Sequence, residues 1–231
     1  MSDIFELFLP LERAGPGDAE SLRWALEVAG TRPDATVLDA GCGTGADLPG
    51  LITAVPKGKV VAVEAAPRFI ERVRARFPAV EAHLADMAAP PGGPFDLIWS
   101  AGAVYNLGVG RALAGWAGHL KPGGRVAFSD LCWRRPDPPA EARAFWAAEG
   151  LDVPDAAGLE AQVTQAGWRV LDARWLGRAG WAAYYEPLEA RLDGFSGDAA
   201  LVEGFRAEIA LWREQGESYD YRLIVAEPAG A

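Results

Sequence analysis

Apolar residues along the chain follow two spacings that alternate from residue 18 onward. In residues 18–29 the apolar positions recur every three or four residues, which is the spacing of an amphipathic helix. Asp18 or Ser21 is in position to cap the first turn of this helix. Short runs that are apolar throughout, such as 60–63, separate the helical segments. Such runs are typical of strands buried on both faces, so the pattern predicts strands and helices in alternation.

The predicted elements cover most of the chain. Strands are predicted at 36–39, 60–63, 80–84, 95–100, 125–130, 167–176 and 219–227, and helices at 18–29, 46–55, 67–77, 109–120, 141–149 and 158–166. Short apolar strands that alternate with helices form parallel sheets covered on both faces. The predicted fold class is therefore α/β, with a doubly wound, mostly parallel sheet.

Composition narrows the classes of partner. The chain has 231 residues, of which 50% are hydrophobic and 23% charged, and this predicts a single domain over 1–231. A formal net charge of −10 argues against nucleic acid and membrane partners. Cys42 and Cys132 lack metal-ligand spacing, so no metal is expected. Without a cationic leader or an apolar run of about 18 residues, the expected location is cytoplasmic.

A glycine-rich loop follows the first predicted strand. The sequence VLDAGCGTG at 37–45 places Gly41, Gly43 and Gly45 where backbone can approach a ligand closely. Gly41, Gly43 and Ala46 also satisfy the dinucleotide pattern G-x-G-x-x-A, so the loop alone fits either a dinucleotide or S-adenosylmethionine. The remaining strand ends must separate these two cofactors.

Carboxylates follow the next two strands. Glu64 ends the second strand, where it can accept both hydroxyls of a ribose. Asp86 follows the third strand, where it can accept from an adenine amine while Met87 packs on the ring. Ser100 ends the fourth strand. Because the carboxyl ends of parallel strands meet at one edge, these residues are expected to share a site suited to an adenosine.

The loop and the strand ends together resemble the class I S-adenosylmethionine-dependent methyltransferases. Asp39, two residues before Gly41, completes that family's D-x-G-x-G-x-G loop, and Asp86 matches its adenine residue. The resemblance implies a Rossmann-like sheet of seven strands with the last one antiparallel, S-adenosyl-L-methionine as cofactor and S-adenosyl-L-homocysteine as product. The predicted cofactor-binding residues are Asp39, Gly41, Cys42, Gly43, Gly45, Glu64, Ala65, Asp86, Met87 and Ser100.

A narrower likeness concerns a bacterial branch of small-molecule methyltransferases of undefined substrate. The segments LPLERAGPGDAES, IWSAGAVYNLG and WAAYYEPLEARL are similar to it. Many members read S-E-G-A where residues 100–103 read S-A-G-A, so any role of that carboxylate is not carried over to Ala101. Two alternatives to in-line methyl transfer to a small molecule remain. One is a cofactor-binding protein without catalysis, and the other is a NAD-dependent oxidoreductase.

Two segments are predicted to cover the site. Residues 1–17 carry an apolar face ahead of the first core helix, and residues 177–218 form a long, lid-like insertion between the last two strands. Side chains one apart on a helix diverge by about 100°, so Tyr184 or Tyr185 is expected to face the site while its neighbour packs inward. No catalytic residue, acceptor atom or oligomeric state is assigned, although Asp130 is among the candidate bases. The predicted acceptor-binding residues are Tyr105, Asn106, Trp133, Tyr184 and Tyr185.

Overall fold

A seven-stranded sheet runs through the computed structural model, which describes residues 2–230. The strands are β1 Thr36–Ala40, β2 Lys59–Glu64, β3 Glu81–Leu84, β4 Phe95–Ser100, β5 Leu120–Trp133, β6 Trp168–Trp175 and β7 Tyr219–Pro228. Their order is β3-β2-β1-β4-β5-β7-β6, and β7 is antiparallel to both of its neighbours. The predicted α/β class, the strand number and the antiparallel last strand are confirmed.

Six of the helices lie close to their predicted positions, and three others, α1, α8 and α9, lie in the two segments that were predicted only as covers of the site. They are α1 Ser2–Phe8, α2 Ala19–Val28, α3 Leu48–Ala54, α4 Pro67–Arg76, α5 Val109–Ala117, α6 Ala140–Ala148, α7 Ala156–Gln165, α8 Arg178–Leu192 and α9 Ala199–Gln215. The Asp18 carboxylate accepts the Ser21 N–H at 2.7 Å, so Asp18 is the N-cap of α2. Within residues 2–230, no helix combines the length and apolarity that crossing a membrane requires.

Strand β5 is longer than its predicted span of 125–130. It begins at Leu120, which pairs with Phe95 of β4, and the pairing shifts register between Phe95 and Leu97. The segment 121–124 therefore belongs to the strand, although its proline and glycines are typical of a turn. This pairing also explains why α5 ends at Ala117 rather than at residue 120.

Three buried clusters hold the helices to the sheet. One face of the sheet packs on α5 and α7, and the other packs on α2, α3 and α4. The third cluster lies where β5 ends and β7 begins, and there α1, α6, α8 and α9 pack around Tyr219 and Tyr221. The predicted insertion 177–218 thus consists mainly of α8 and α9, which pack on one another and on α1.

Candidate active site

A cavity of about 750 Å³ opens at the carboxyl ends of β1 to β4. Its walls come from the loops that follow these four strands and from residues 13–16 of the N-terminal segment. Parallel pairing of β3, β2, β1 and β4 brings these loops to one edge. Among the predicted residues, those that line the cavity are Asp39, Gly41, Cys42, Gly43, Glu64, Ala65, Asp86, Met87, Tyr105 and Asn106.

The glycine loop is fixed to β2 by backbone hydrogen bonds. The N–H groups of Gly41 and Cys42 both donate to the carbonyl of Val63, at 2.8 and 3.0 Å. Gly41 has a φ of +79°, and a Cβ built on it would stand 2.8 Å from the Cβ of Ala103 across the cavity wall. Both the backbone conformation and the close approach therefore require glycine at this position.

Asp39 presents a buried carboxylate to the cavity. The residue is 4% exposed, and no hydrogen bond or ion pair reaches its side chain from the residues that the structure describes. Burial raises its pKa well above the usual range, and the nearby carboxylates of Asp47 and Glu64 add to the effect. A buried carboxylate without a partner is costly, so a cationic ligand beside Asp39 would be stabilised.

Glu64 bonds the glycine loop directly. Its Oε2 accepts the Gly43 N–H at 2.9 Å, and its Oε1 accepts the Ala66 N–H at 2.9 Å. Each carboxylate oxygen has two acceptor positions, so the side chain retains capacity for ligand hydroxyls. Glu64 therefore also shapes the loop, a role that the sequence pattern does not predict.

Asp86 and Met87 form the wall next to β3. Asp86 Oδ1 accepts the Ala88 N–H at 2.8 Å and thereby closes a local turn, while Oδ2 lies 3.7 Å from Arg111. The carbonyl of Met87 accepts the indole N–H of Trp116 at 2.7 Å. The Met87 sulfur lies 3.1 Å from the Cβ position of Gly41, so this side chain reaches across to the glycine loop.

Three of the predicted cofactor residues need a different interpretation. Ser100 is fully buried and donates its hydroxyl to the Ala40 carbonyl at 2.8 Å, so it joins β1 and β4 and does not line the cavity. Gly45 faces the core, where a Cβ would meet Phe77 at 3.0 Å. Cys42 does line the cavity, but burial raises the pKa of its thiol, which agrees with a packing role.

The acceptor predictions are corrected in part. Tyr184 and Tyr185 are both buried, so the expectation that one faces the site is wrong. Helix α8 lies between α1 and α9, which leaves neither ring free: Tyr184 stacks on Phe8 of α1, and the Tyr185 hydroxyl donates to Glu208 of α9 at 2.7 Å. Trp133 packs edge-to-face on Tyr219 and does not line the cavity either.

Other lining residues were not predicted. Arg13 forms an ion pair with Asp47 at 2.5 Å, and Asp47 also accepts the indole N–H of Trp99 at 3.0 Å. Leu84, half-exposed at the end of β3, lines the cavity next to Asp86. Leu84 could have been identified from the sequence, because it is an apolar residue at a strand end close to an acid. The pairing of Arg13 with Asp47 spans 34 residues, so no local pattern indicates it.

Comparison with known proteins gives a family match to the part of the chain that forms most of this cavity. The family model described as a methyltransferase domain matches residues 37–124, from β1 to the start of β5. The matched region contains the glycine loop and the cavity residues Glu64 and Asp86. The predicted resemblance is confirmed at this level.

Two of the similar proteins are described as methyltransferases, and a third is uncharacterised. An S-adenosylmethionine-dependent methyltransferase from Geobacter sulfurreducens, solved in complex with S-adenosyl-L-homocysteine, has a TM-score of 0.77 and 20% identity, with 99% of this chain and 100% of that chain covered. A trans-aconitate 2-methyltransferase from Azoarcus is 38% identical over 97 residues, which are 41% of this chain and 38% of the relative. An uncharacterised 37.1 kDa protein of transposon TN4556 from Streptomyces fradiae is 33% identical over 115 residues, 47% of this chain and 33% of the relative.

The two groups of relatives support different statements. The structural likeness covers nearly the whole chain and shows the fold, which is the fold predicted from the alternation of strands and helices and from the family resemblance. The matches to the curated relatives span about a third of their length. S-adenosylmethionine, the predicted cofactor, is the one that methyltransferases of this fold use, and its demethylated form is bound in the Geobacter structure.

Proposed function

We propose that the protein transfers a methyl group from S-adenosyl-L-methionine to a small molecule by in-line displacement. The observation that carries the proposal is the buried carboxylate of Asp39, which faces the cavity beside the glycine loop and lacks a partner among the described residues. The amino group of S-adenosylmethionine is a cation that such a carboxylate would bind. NAD offers a pyrophosphate instead, which this carboxylate would repel.

The other cavity residues fit the same ligand. Glu64 would accept the ribose hydroxyls, and Asp86 with Met87 would contact the adenine, at positions that follow consecutive strands. The glycine loop would let the backbone approach the methionine portion, because Gly41 and Gly43 leave no side chain in its way. When bound, S-adenosylmethionine would supply an activated methyl group on a sulfonium, so the protein itself needs no nucleophile.

The residues of this chain would therefore act by positioning. Holding donor and acceptor in line and excluding water can account for roughly 7–11 kcal/mol of the barrier to such a transfer. Asp39 and Glu64 would fix the donor from two sides, and Tyr105 and Asn106, which line the cavity after β4, would contact the acceptor. No general base is required when the accepting atom already has a free lone pair.

Cavity size and charge bear on the class of acceptor. A volume of about 750 Å³ lies within the roughly 300–1,000 Å³ that is typical of small-molecule sites. Arg13 is the only Arg or Lys among the described lining residues, and it is paired with Asp47. A polyanion such as the trans-aconitate named for the Azoarcus relative would find no unpaired cation among them. A neutral or cationic acceptor suits the cavity better.

Calorimetry with S-adenosylmethionine, S-adenosylhomocysteine and NAD tests the proposal. We expect both sulfur compounds to bind and NAD not to bind. Asp39→Asn, which keeps the shape but removes the charge, should weaken both, whereas Asp34→Asn, an exposed acid outside the cavity, should change neither. Tighter binding of NAD would support the oxidoreductase alternative.

Release of S-adenosylhomocysteine in the presence of small-molecule acceptors is the second assay. A turnover that depends on the acceptor is expected from a methyltransferase. Binding of S-adenosylmethionine without turnover on a broad panel would instead support a cofactor-binding protein without catalysis, the alternative raised by Ala101.

A further inference from the structure

A second cavity lies beside the first and shares Tyr105 with it as a wall residue. Its volume is about 150 Å³, roughly ten times the 10–15 Å³ that a single water requires. Asp130, near the end of β5, lines one side, and the loop 150–154 between α6 and α7 lines another with apolar residues such as Leu151 and Val153. The cavity can hold one polar group of a small ligand against an apolar wall.

Asp130 is the charged group buried in this cavity. It is 9% exposed, and its Oδ1 accepts the Leu131 N–H at 2.9 Å. No other hydrogen bond and no ion pair to its carboxylate is present within residues 2–230, so Oδ2 is without a partner. Burial raises the pKa of Asp130 to about 6, and the Leu131 N–H opposes the shift. A carboxylate in this state gains more from a cationic ligand than one that is already paired.

The nearest arginine on the neighbouring strand does not neutralise it. Arg222 stands opposite Asp130 in the pairing of β5 with β7. Its guanidinium instead bonds Glu160 of α7 at 2.9 Å and lies over the ring of Trp175 at 5.0 Å. Arg222 is thus engaged elsewhere, and the Asp130 carboxylate keeps an uncompensated negative charge.

The other titratable groups around Asp130 are neutral or acidic. The Asp130 charge contributes to the raised pKa values of Tyr105 on the turn after β4, Tyr221 on β7 and Cys132 on its own strand. Asp152 lines the same cavity and adds a second carboxylate. The described lining includes no lysine and no arginine. A cation is therefore the ligand group that this cavity would stabilise most.

We propose that this cavity binds a protonated amine of the methyl acceptor, with the Asp130 carboxylate as its counter-ion. The inference rests on the proposed methyltransferase function and adds to it the chemical class of the acceptor, a small molecule that carries a basic nitrogen. The ammonium is a recognition group, so no proton or methyl transfer to it is implied. Tyr105, which lines both cavities, would lie between this group and the donor.

Probe binding tests the proposal without knowledge of the natural acceptor. Butylamine, 1-butanol and butyrate have similar chains with a cationic, a neutral and an anionic end. Their binding to protein saturated with S-adenosylhomocysteine would be measured by ligand-observed NMR at pH 8. One charge-assisted hydrogen bond predicts that butylamine binds at least about tenfold more tightly than 1-butanol. Butyrate should not bind.

The pH dependence and a matched pair of variants assign the effect to Asp130. The amine keeps its charge between pH 5 and pH 8, whereas burial raises the pKa of Asp130 to about 6, so the preference for butylamine should fall by about tenfold from pH 8 to pH 5. Asp130→Asn should show little preference at pH 8 and no change in it at pH 5, while still binding S-adenosylhomocysteine. Asp152→Asn, an exposed acid in the same cavity, should keep it.

Three results would overturn the proposal: no saturable binding of butylamine, equal binding of amine and alcohol, or an Asp130→Asn variant that behaves as the wild type. Should that variant fail to fold, the pH series on the unmodified protein takes its place, and a preference for butylamine that is the same at pH 8 and pH 5 overturns the proposal. Binding of S-adenosylhomocysteine is measured first. Its failure counts against the proposed function, whereas intact binding without an amine preference counts against the amine site alone.

Discussion

Removal of the Glu64 side chain tests the adenosine site most directly. In Glu64→Ala the N–H groups of Gly43 and Ala66 each lose an acceptor at 2.9 Å, and the cavity loses the predicted acceptor for the ribose hydroxyls. A hydrogen bond to a charged group contributes about 1.5–3 kcal/mol. For the ribose alone this predicts a loss of affinity for S-adenosylhomocysteine of roughly 10- to 150-fold, since about 1.4 kcal/mol is tenfold.

The loop contacts predict a separate loss of stability. Glu64 is only partly buried, so water can replace part of the two lost backbone bonds, and we expect a cost of about 1–3 kcal/mol in the free energy of unfolding. In a chain of this size, each kcal/mol lowers the melting temperature by about 2–4 °C. Glu81→Ala removes the same charge outside the cavity and serves as the control.

Calorimetry with two ligands separates the ribose contact from the loop contact. S-adenosylhomocysteine and its 2′-deoxy analogue differ by one hydroxyl. If Glu64 accepts that hydroxyl, its removal weakens binding to the wild type but has little effect on binding to Glu64→Ala. An equal loss in both proteins, or an unchanged affinity of Glu64→Ala for S-adenosylhomocysteine, would refute the ribose role and leave Glu64 as a residue that only shapes the loop.

The remaining predictions concern four other positions. Gly43→Val should abolish calorimetric binding of S-adenosylmethionine, because Gly43 has a φ of +51° and a branched side chain there would occupy the cavity wall; unchanged affinity of the folded variant would contradict this. Gly45→Ala should lower stability by about 2–4 kcal/mol in denaturant unfolding, since it combines a φ of +84° with contacts of 3.0–3.2 Å in the core. Asp86→Ala should weaken binding less than Glu64→Ala, and the reverse order would count against the adenine assignment. Burial raises the pKa of Glu208 from 4.5 to about 7. Its protonation therefore stabilises the folded state fully below pH 4.5, and this contribution is lost as the pH rises to about 7. Glu208→Gln should make the free energy of unfolding less dependent on pH over that range, and a pH profile like that of the wild type would contradict this.

Local sequence patterns were sufficient to predict the sheet and much of the cavity. Strand β4 was predicted at its observed bounds, Phe95–Ser100, because this short and mostly apolar segment is bounded by proline and glycine residues at 90–94 and by Gly102. Asp39, Glu64 and Asp86 could be predicted to lie at one site because the carboxyl ends of parallel strands meet at one edge of the sheet, independently of how the helices pack. Only the direction of each side chain was left open, and for Ser100 the expectation was wrong because its hydroxyl faces Ala40.

Features that depend on helix packing could not be predicted in this way. Tyr184 and Tyr185 are adjacent on α8, so their side chains were expected to point in different directions. Whether either side chain is exposed depends on the elements that pack on each side of the helix. Phe8 of α1 covers one ring, and Glu208 of α9 bonds the other. These partners lie far away in the sequence, and no spacing within α8 indicates them.

The two predicted cover segments differ in their relation to the main cavity. In the N-terminal segment, residues 13–16 form part of the wall, and the Thr44 hydroxyl of the glycine loop donates to the Glu12 carbonyl at 2.7 Å. No residue of 177–218 lines the main cavity, but the carbonyl of Gly180 accepts the Gly17 N–H at 3.1 Å. The N-terminal segment is thus bonded to the glycine loop on one side and to α8 on the other. Substitutions in α8 can therefore affect the cavity through this segment.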